Sequence, residues 1–74
     1  IDFYIPEAND IKLSIFNIKG EKVRTIYDGY LDSGYQSMKW NGQNDNGVIL
    51  PSGFYIMSLD YDNKTITNKM VKLK

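Results

Sequence analysis

The sequence predicts an all-β fold: a small immunoglobulin-like β-sandwich of about seven antiparallel strands. Three observations predict it. Apolar residues recur at every second position, as in Ile11-Lys12-Leu13-Ser14-Ile15, and not at helical spacing. Turn-forming pairs such as Asp28-Gly29, Asn41-Gly42, Asn46-Gly47 and Asp62-Asn63 punctuate the chain at short intervals. No segment carries a helical apolar stripe of useful length, so two antiparallel sheets packed face to face are the natural way to bury the strand faces. With 74 residues the chain is one domain, shorter than the roughly 100 residues typical of that architecture.

The elements follow in order. Ile1, Phe3 and Ile5 alternate with Asp2 and Tyr4, and Pro6 ends the run, which predicts a short edge strand. Ile11, Leu13 and Ile15 make the clearest strand, with the odd positions facing the core. Asn17-Ile18-Lys19-Gly20 is a turn in which Gly20 is suited to a positive φ. Lys22–Tyr27 is the next strand, anchored by Val23 and Ile26. Asp28-Gly29 and Asp32-Ser33-Gly34 then punctuate the chain around Tyr30 and Leu31. In Tyr35–Trp40, Gln36, Met38 and Trp40 share one side. Phe54–Tyr61 places Tyr55, Met57, Leu59 and Tyr61 in one row, and Phe54, Ile56 and Ser58 in the other. Asp62-Asn63 marks a hairpin turn into Thr65–Leu73. There the apolar positions switch from even to odd between Met70 and Val71, which predicts a bulge or a crossing between sheets.

Composition excludes several chemistries. The chain has no Cys and no His, which removes thiol nucleophiles, Cys-based zinc sites, the usual general base and the commonest zinc ligand. Nine basic and nine acidic residues cancel and are interspersed, so there is no electrostatic reason to seek nucleic acid or an anionic membrane. No apolar run approaches the ~20 residues a membrane helix needs. The chain opens at Ile1, without a signal peptide, and reads as a piece of a longer protein.

The stretch WNGQNDNGVILPSGFY, Trp40–Tyr55, raises the question of a metal loop. A calcium loop wants a D-x-[DN]-x-[DN]-G run and a distant Glu. Here Asp45 is the one charged oxygen ligand, the spacing does not fit, and no Glu follows. The better reading is structural. Gly42, Gly47 and Gly53 serve turns, Asn and Asp side chains bond the loop backbone, and Trp40 and Tyr55 bracket a link between strands, with the Trp40 ring buried between the sheets. No metal or cofactor is expected.

Other constellations are weighed the same way. Asp60, Asp62 and Asp45 could serve as paired acids for glycoside hydrolysis, but read better as turn and surface residues, so no catalysis is expected. Tyr4, Tyr27, Tyr30, Tyr35, Tyr55 and Tyr61 could stack on sugar rings if three lay in one exposed plane; Tyr is also simply favoured in strands. Asn63-Lys64-Thr65 matches a glycosylation sequon and reads as a turn before a strand. Lys69, Lys72 and Lys74, interleaved with Met70, Val71 and Leu73, fit a solvated edge strand. Such an edge is also open to strand addition by a partner, and would permit a weak homodimer across a two-fold axis.

These residues also carry a resemblance. WNGQNDNGVILPSGFY is similar to a W-D-G-x-D-x-x-G-x-x-x-x-x-G-x-Y signature of two related groups. One is the Ig-like domain of flagellar hook-capping proteins. The other is the C-terminal sorting domain of the type IX secretion system of Bacteroidetes and neighbouring phyla. IKLSIFNIKGEKVR resembles their V-x-L-x-I-Y-N-x-x-G-x-x-V-R strand–turn–strand, and IDFYIPE their I-x-F-x-L-P-E opening. NKMVKLK resembles the closing x-K-M-V-x-x-K of sorting domains. Asn41 departs from the Asp common in both groups, and Phe16 from a frequent Tyr.

The resemblance covers essentially the whole chain and implies the immunoglobulin-like fold. It further implies a non-catalytic sorting signal, residues 1–74, at the C-terminus of a secreted cargo protein. The type IX outer-membrane translocon would read it, with Lys69, Met70, Val71, Lys72, Leu73 and Lys74 as the recognition element. The cargo would pass through the periplasm of a Gram-negative bacterium to the cell surface or medium. Gly20, Trp40, Gly42, Gly47, Gly53 and Tyr55 would be structural. The alternatives are a hook-capping-type structural module and a carbohydrate-binding module.

Overall fold

Alternating apolar residues build six strands in the computed structural model, which describes residues 1–73. They are β1 (Asp2–Ile5), β2 (Asn9–Asn17), β3 (Lys22–Leu31), β4 (Gly34–Ser37), β5 (Gly53–Tyr61) and β6 (Lys64–Lys72). The first sheet pairs β1 with β4, and the second runs in the order β3-β2-β5-β6, with every described pair antiparallel. The fold is therefore the expected all-β sandwich, with six strands in place of about seven. The difference lies at Asp28-Gly29, expected to interrupt the chain. Gly29 stays paired with Ile11 inside β3, and the Tyr27 ring lies 3.6 Å from where a Cβ on Gly29 would stand. The aromatic ring covers the bare backbone, and the strand continues to Leu31.

The core is built by the rows the alternation marks. Ile5 of the small sheet meets Ile11, Leu13 and Leu59 of the large one, all buried. Ile1, Phe3, Ile26, Tyr27, Leu31, Met38, Met57 and Tyr61 pack around them. Each fully buried Ile or Leu contributes about 1.5–3 kcal/mol relative to exposure. Leu13 pairs with Tyr27 on one side and Leu59 on the other, so β2 is the centre of the ladder. On the outer face, Thr25, Ser14, Ser58 and Thr67 form a row of hydroxyls across four strands, with Ser14 and Ser58 buried. Beside it, Lys12 stands between Asp28 and Asp60, an arrangement of opposite charges that supports the pairing.

The bulges are not where the even-to-odd switch put them. The β5–β6 ladder runs unbroken from Tyr61–Lys64 to Gly53–Lys72. Met70 faces the core side opposite Tyr55, and Val71 faces outward opposite Phe54, so an edge strand simply carries apolar residues on both faces. The irregularities lie in β3 instead. Ile26 is extra between the Leu13–Tyr27 and Ser14–Thr25 pairs, and Val23 is extra between Ile15–Arg24 and Phe16–Lys22. Each inserts one unpaired residue into the strand.

Both hairpin turns fall where expected. Asn17 accepts from the Lys19 and Glu21 amides through its Oδ1, and the Gly20 amide donates to the Asn17 carbonyl. Asp62 and Asn63 both have positive φ, 50° and 60°, which matches the right-handed twist of a two-residue hairpin.

Candidate functional site

The loop between β4 and β5 is folded on itself. The Gly47 amide donates to the Asn44 carbonyl, the Asn44 amide to Val48, and the Leu50 amide to Gly42. Side-chain oxygens complete it. Asn44 Oδ1 accepts from the amides of Asn46 and Val48, and Asn41 Oδ1 from Gln43. At its ends, Trp40 and Tyr55 meet edge to face, ring centres 5.2 Å apart. Trp40 Nε1 donates to the Gln43 carbonyl, and the Tyr55 hydroxyl to the Pro51 carbonyl. Tyr55 is buried, whereas Trp40 is half-buried and does not sit fully between the sheets. Asn41 and Asn44 thus bind the loop's own backbone, and no group of three or more acids is arranged to hold a metal ion among the described residues.

Asp45 does something the sequence did not suggest. Its amide donates to the Val23 carbonyl, and its Oδ1 accepts from the Thr25 amide. It therefore caps the outer edge of β3 as a short piece of strand would. Arg24 supports it, donating to the Asn44 carbonyl and lying 4.0 Å from the Asp45 carboxylate. The only advance signal was the odd spacing of Val23 and Ile26, which a straight strand cannot put on one face.

Of the three candidate acids, Asp45 lies apart from Asp60 and Asp62. Asp60 accepts from the Thr65 hydroxyl, and Asp62 occupies the β5–β6 turn. Both line an open hollow with Asp10 and Asp28, interspersed with Lys12 and Lys64. Asp45 lines a different hollow, with Glu21, Lys22 and Val23. The three carboxylates are not brought together. The tyrosines do not form one plane either. Tyr27, Tyr55 and Tyr61 use their hydroxyls on backbone groups. Tyr4 and Tyr35 are exposed on the small sheet with rings tilted by 58°, while Tyr30 stands on the large one.

Of the expected recognition residues, Lys69, Met70, Val71 and Lys72 lie on β6, and Leu73 follows it. The burial of β6 is the lowest of any long strand: Lys64 through Lys69 are all exposed. Lys69 places its ammonium 5.4 Å from the centre of the Phe54 ring, a weak cation–π contact. Met70 is half-buried, Val71 and Leu73 are exposed, and the Lys72 stem lies over Gly42. Lys74 lies outside the described residues. Gly20, Gly42, Gly47 and Gly53 all have positive φ, but only Gly42 is buried.

The two ends of the large sheet are therefore unlike. The β3 edge carries two bulges, the Asp45 cap and a Tyr27 hydroxyl bound to the Tyr30 carbonyl. Among the described residues the β6 edge carries none of these devices, and β6 pairs with β5 alone. Comparison with known proteins adds the lineage. No curated protein and no solved structure matched the chain. The family model described as "FlgD Ig-like domain" matches residues 1–65, from before β1 to the second residue of β6. Strands β1 to β5 and the glycine-rich link between β4 and β5 stand on the same span, and the chain belongs to the FlgD Ig-like domain family.

Proposed function

We propose that this chain is a non-catalytic interaction module of the kind flagellar hook-capping proteins carry, and that β6 is the surface it presents. The family supports the module, and one observation carries the surface: β6 is left open while β3 is capped. An uncapped strand edge offers backbone donors and acceptors that a partner strand can use. In a hook-capping setting the partner would be a hook subunit. A photo-crosslinking residue in place of Thr67, introduced into the parent protein in its own cell, tests this. Crosslinks to a hook-type subunit are expected. A Thr67 probe that captures nothing, beside a Tyr35 probe on the small sheet that does, would move the surface away from β6.

A second reading has its own observation. Residues 66–74 fall outside the family match, and there Asn68–Lys74 resembles the closing motif of type IX sorting domains, with Asn68–Lys72 on the poorly buried β6. Under that reading the module ends a secreted cargo protein and is recognised by the outer-membrane translocon. Residues 1–74 fused behind a periplasmic reporter, in a host with a type IX system, would carry it to the surface or medium. Deleting Asn68–Lys74 would abolish export, and Asp45→Ala would not. Export that survives the deletion would sink the second reading.

A further inference from the structure

The β5–β6 turn sets the phase of the outer edge. With a two-residue turn at Asp62–Asn63, the flanking Tyr61–Lys64 pair exchanges both of its backbone bonds. Pairs then alternate along the ladder. Ile66, Asn68, Met70 and Lys72 bond to β5, while Thr65, Thr67, Lys69 and Val71 turn their N–H and C=O groups outward. No backbone hydrogen bond outside the β5 ladder engages these four among the described residues.

The side chains beside that edge have a definite character. Every charged residue from 64 to 74 is Lys, and none is acidic. Lys64, Ile66, Asn68, Met70 and Lys72 lie on the core side, with Ile66 52% exposed. Thr65, Thr67, Lys69 and Val71 lie on the outer side, with Phe54 opposite Val71. Edge lysines disfavour pairing with a second copy, since like charges face each other across the new ladder. The same lysines attract a strand of opposite sign.

We propose that β6 accepts an extended acidic segment of a partner protein, added as a fifth strand to the large sheet. Its carboxylates stand opposite Lys64, Lys69 and Lys72, and its apolar side chains opposite Ile66 and Met70. This rests on the reading of β6 as the contact surface and names the chemistry of what binds there.

The probe is a synthetic peptide, Glu-Thr-Val-Glu-Thr-Thr-Val-Thr-Glu, laid antiparallel to β6 so that its glutamates meet the three lysines. The control replaces its glutamates with lysines. Amide hydrogen exchange of the full chain is read residue by residue. Without peptide, Thr65, Thr67, Lys69 and Val71 exchange fast, and Ile66, Asn68 and Met70 slowly. The Glu peptide slows the first set, and the Lys peptide binds at least about tenfold more weakly at low salt. Thr67→Pro removes an outward N–H without touching the β5 ladder. It abolishes the new protection while Ile66, Asn68 and Met70 stay slow, which also shows that the variant is folded.

Unchanged exchange at millimolar Glu peptide, equal binding of both peptides, or a Thr67→Pro variant that binds normally would each overturn the proposal. Concentration-dependent protection of the four amides without peptide would do so too, by making a second copy the occupant. Crosslinks from Thr67 in the cell without peptide binding would leave the surface standing and remove the acidic strand. Peptide binding without any such crosslinks would spare the strand and remove the surface's role in the cell.

Discussion

Gly42→Ala separates two costs that the structure places at one atom. Gly42 is buried with φ at 81°, and a methyl built on it would stand 2.5 Å from Lys72 Cε. An L-residue held in the left-handed region costs about 1–2 kcal/mol. The contact cannot persist at that distance, but Cε is near the end of a flexible side chain that is itself only half-buried. Moving it to another rotamer costs about 0.5–1 kcal/mol at most. The backbone conformation therefore dominates. The expected loss is about 1–3 kcal/mol, most of it from the backbone, which for a domain of this size lowers Tm by roughly 5–25 °C. Urea and thermal unfolding of the parent, Gly42→Ala, Lys72→Ala and the double variant form the assay. The coupling between the two changes should not exceed about 1 kcal/mol, the cost of moving the Lys72 side chain. If Lys72→Ala instead restores the stability lost in Gly42→Ala, the steric contact governs and the reasoning is refuted.

Three further outcomes are expected. Asp45→Ala should cost about 1 kcal/mol by leaving the Thr25 amide without its acceptor, and Asp45→Asn should recover most of it, because the ion pair with a half-exposed carboxylate is worth little; equal losses in denaturant melts would credit the charge instead. Tyr55→Phe removes the hydroxyl bond to the Pro51 carbonyl and should cost about 1 kcal/mol without disturbing the contact with Trp40, checked by unfolding followed through Trp fluorescence. Asn63→Gly should raise stability by about 0.5 kcal/mol, because Asn63 sits at φ 60° in the hairpin turn, and a fall in Tm would contradict the turn assignment.

What could be read from the sequence was local. The rows Ile11-Leu13-Ile15 and Tyr55-Met57-Leu59-Tyr61 alternate strictly because each faces the core on one side, and both were legible. The turns at Gly20 and Asp62-Asn63 were legible because they demand particular residues. The loop resolved as expected at Asn41 and Asn44, which bind its backbone, but not at Asp45, which reaches β3. Strand β3 was not, since its bulges depend on the partner strand and on Asp45 reaching its edge from a distant loop. The Met70–Val71 switch misled because exposure on both faces of β6 relaxes the alternation that signals a buried strand. The edge position of β6 was legible, because lysines interleaved with apolar residues suit a solvated edge strand, and the order of pairing leaves its outer side open.

The central pairing has a consequence for how the chain comes to be folded at all. Strands β2 and β3 form one local hairpin and β5 and β6 another, but β2 and β5, which join them, are separated by residues 18–52, nearly half of the chain. Closing that pair fixes a long stretch of chain before its contacts repay the lost freedom, so the β2–β5 seam is the slow event and places the domain toward the millisecond-to-second range. During synthesis, Leu13 has to wait until Leu59 has left the ribosome before its second neighbour exists. Until then the row Ile11-Leu13-Ile15 lacks its β5 neighbours, and an apolar strand with an unpaired side is prone to pair with other strands.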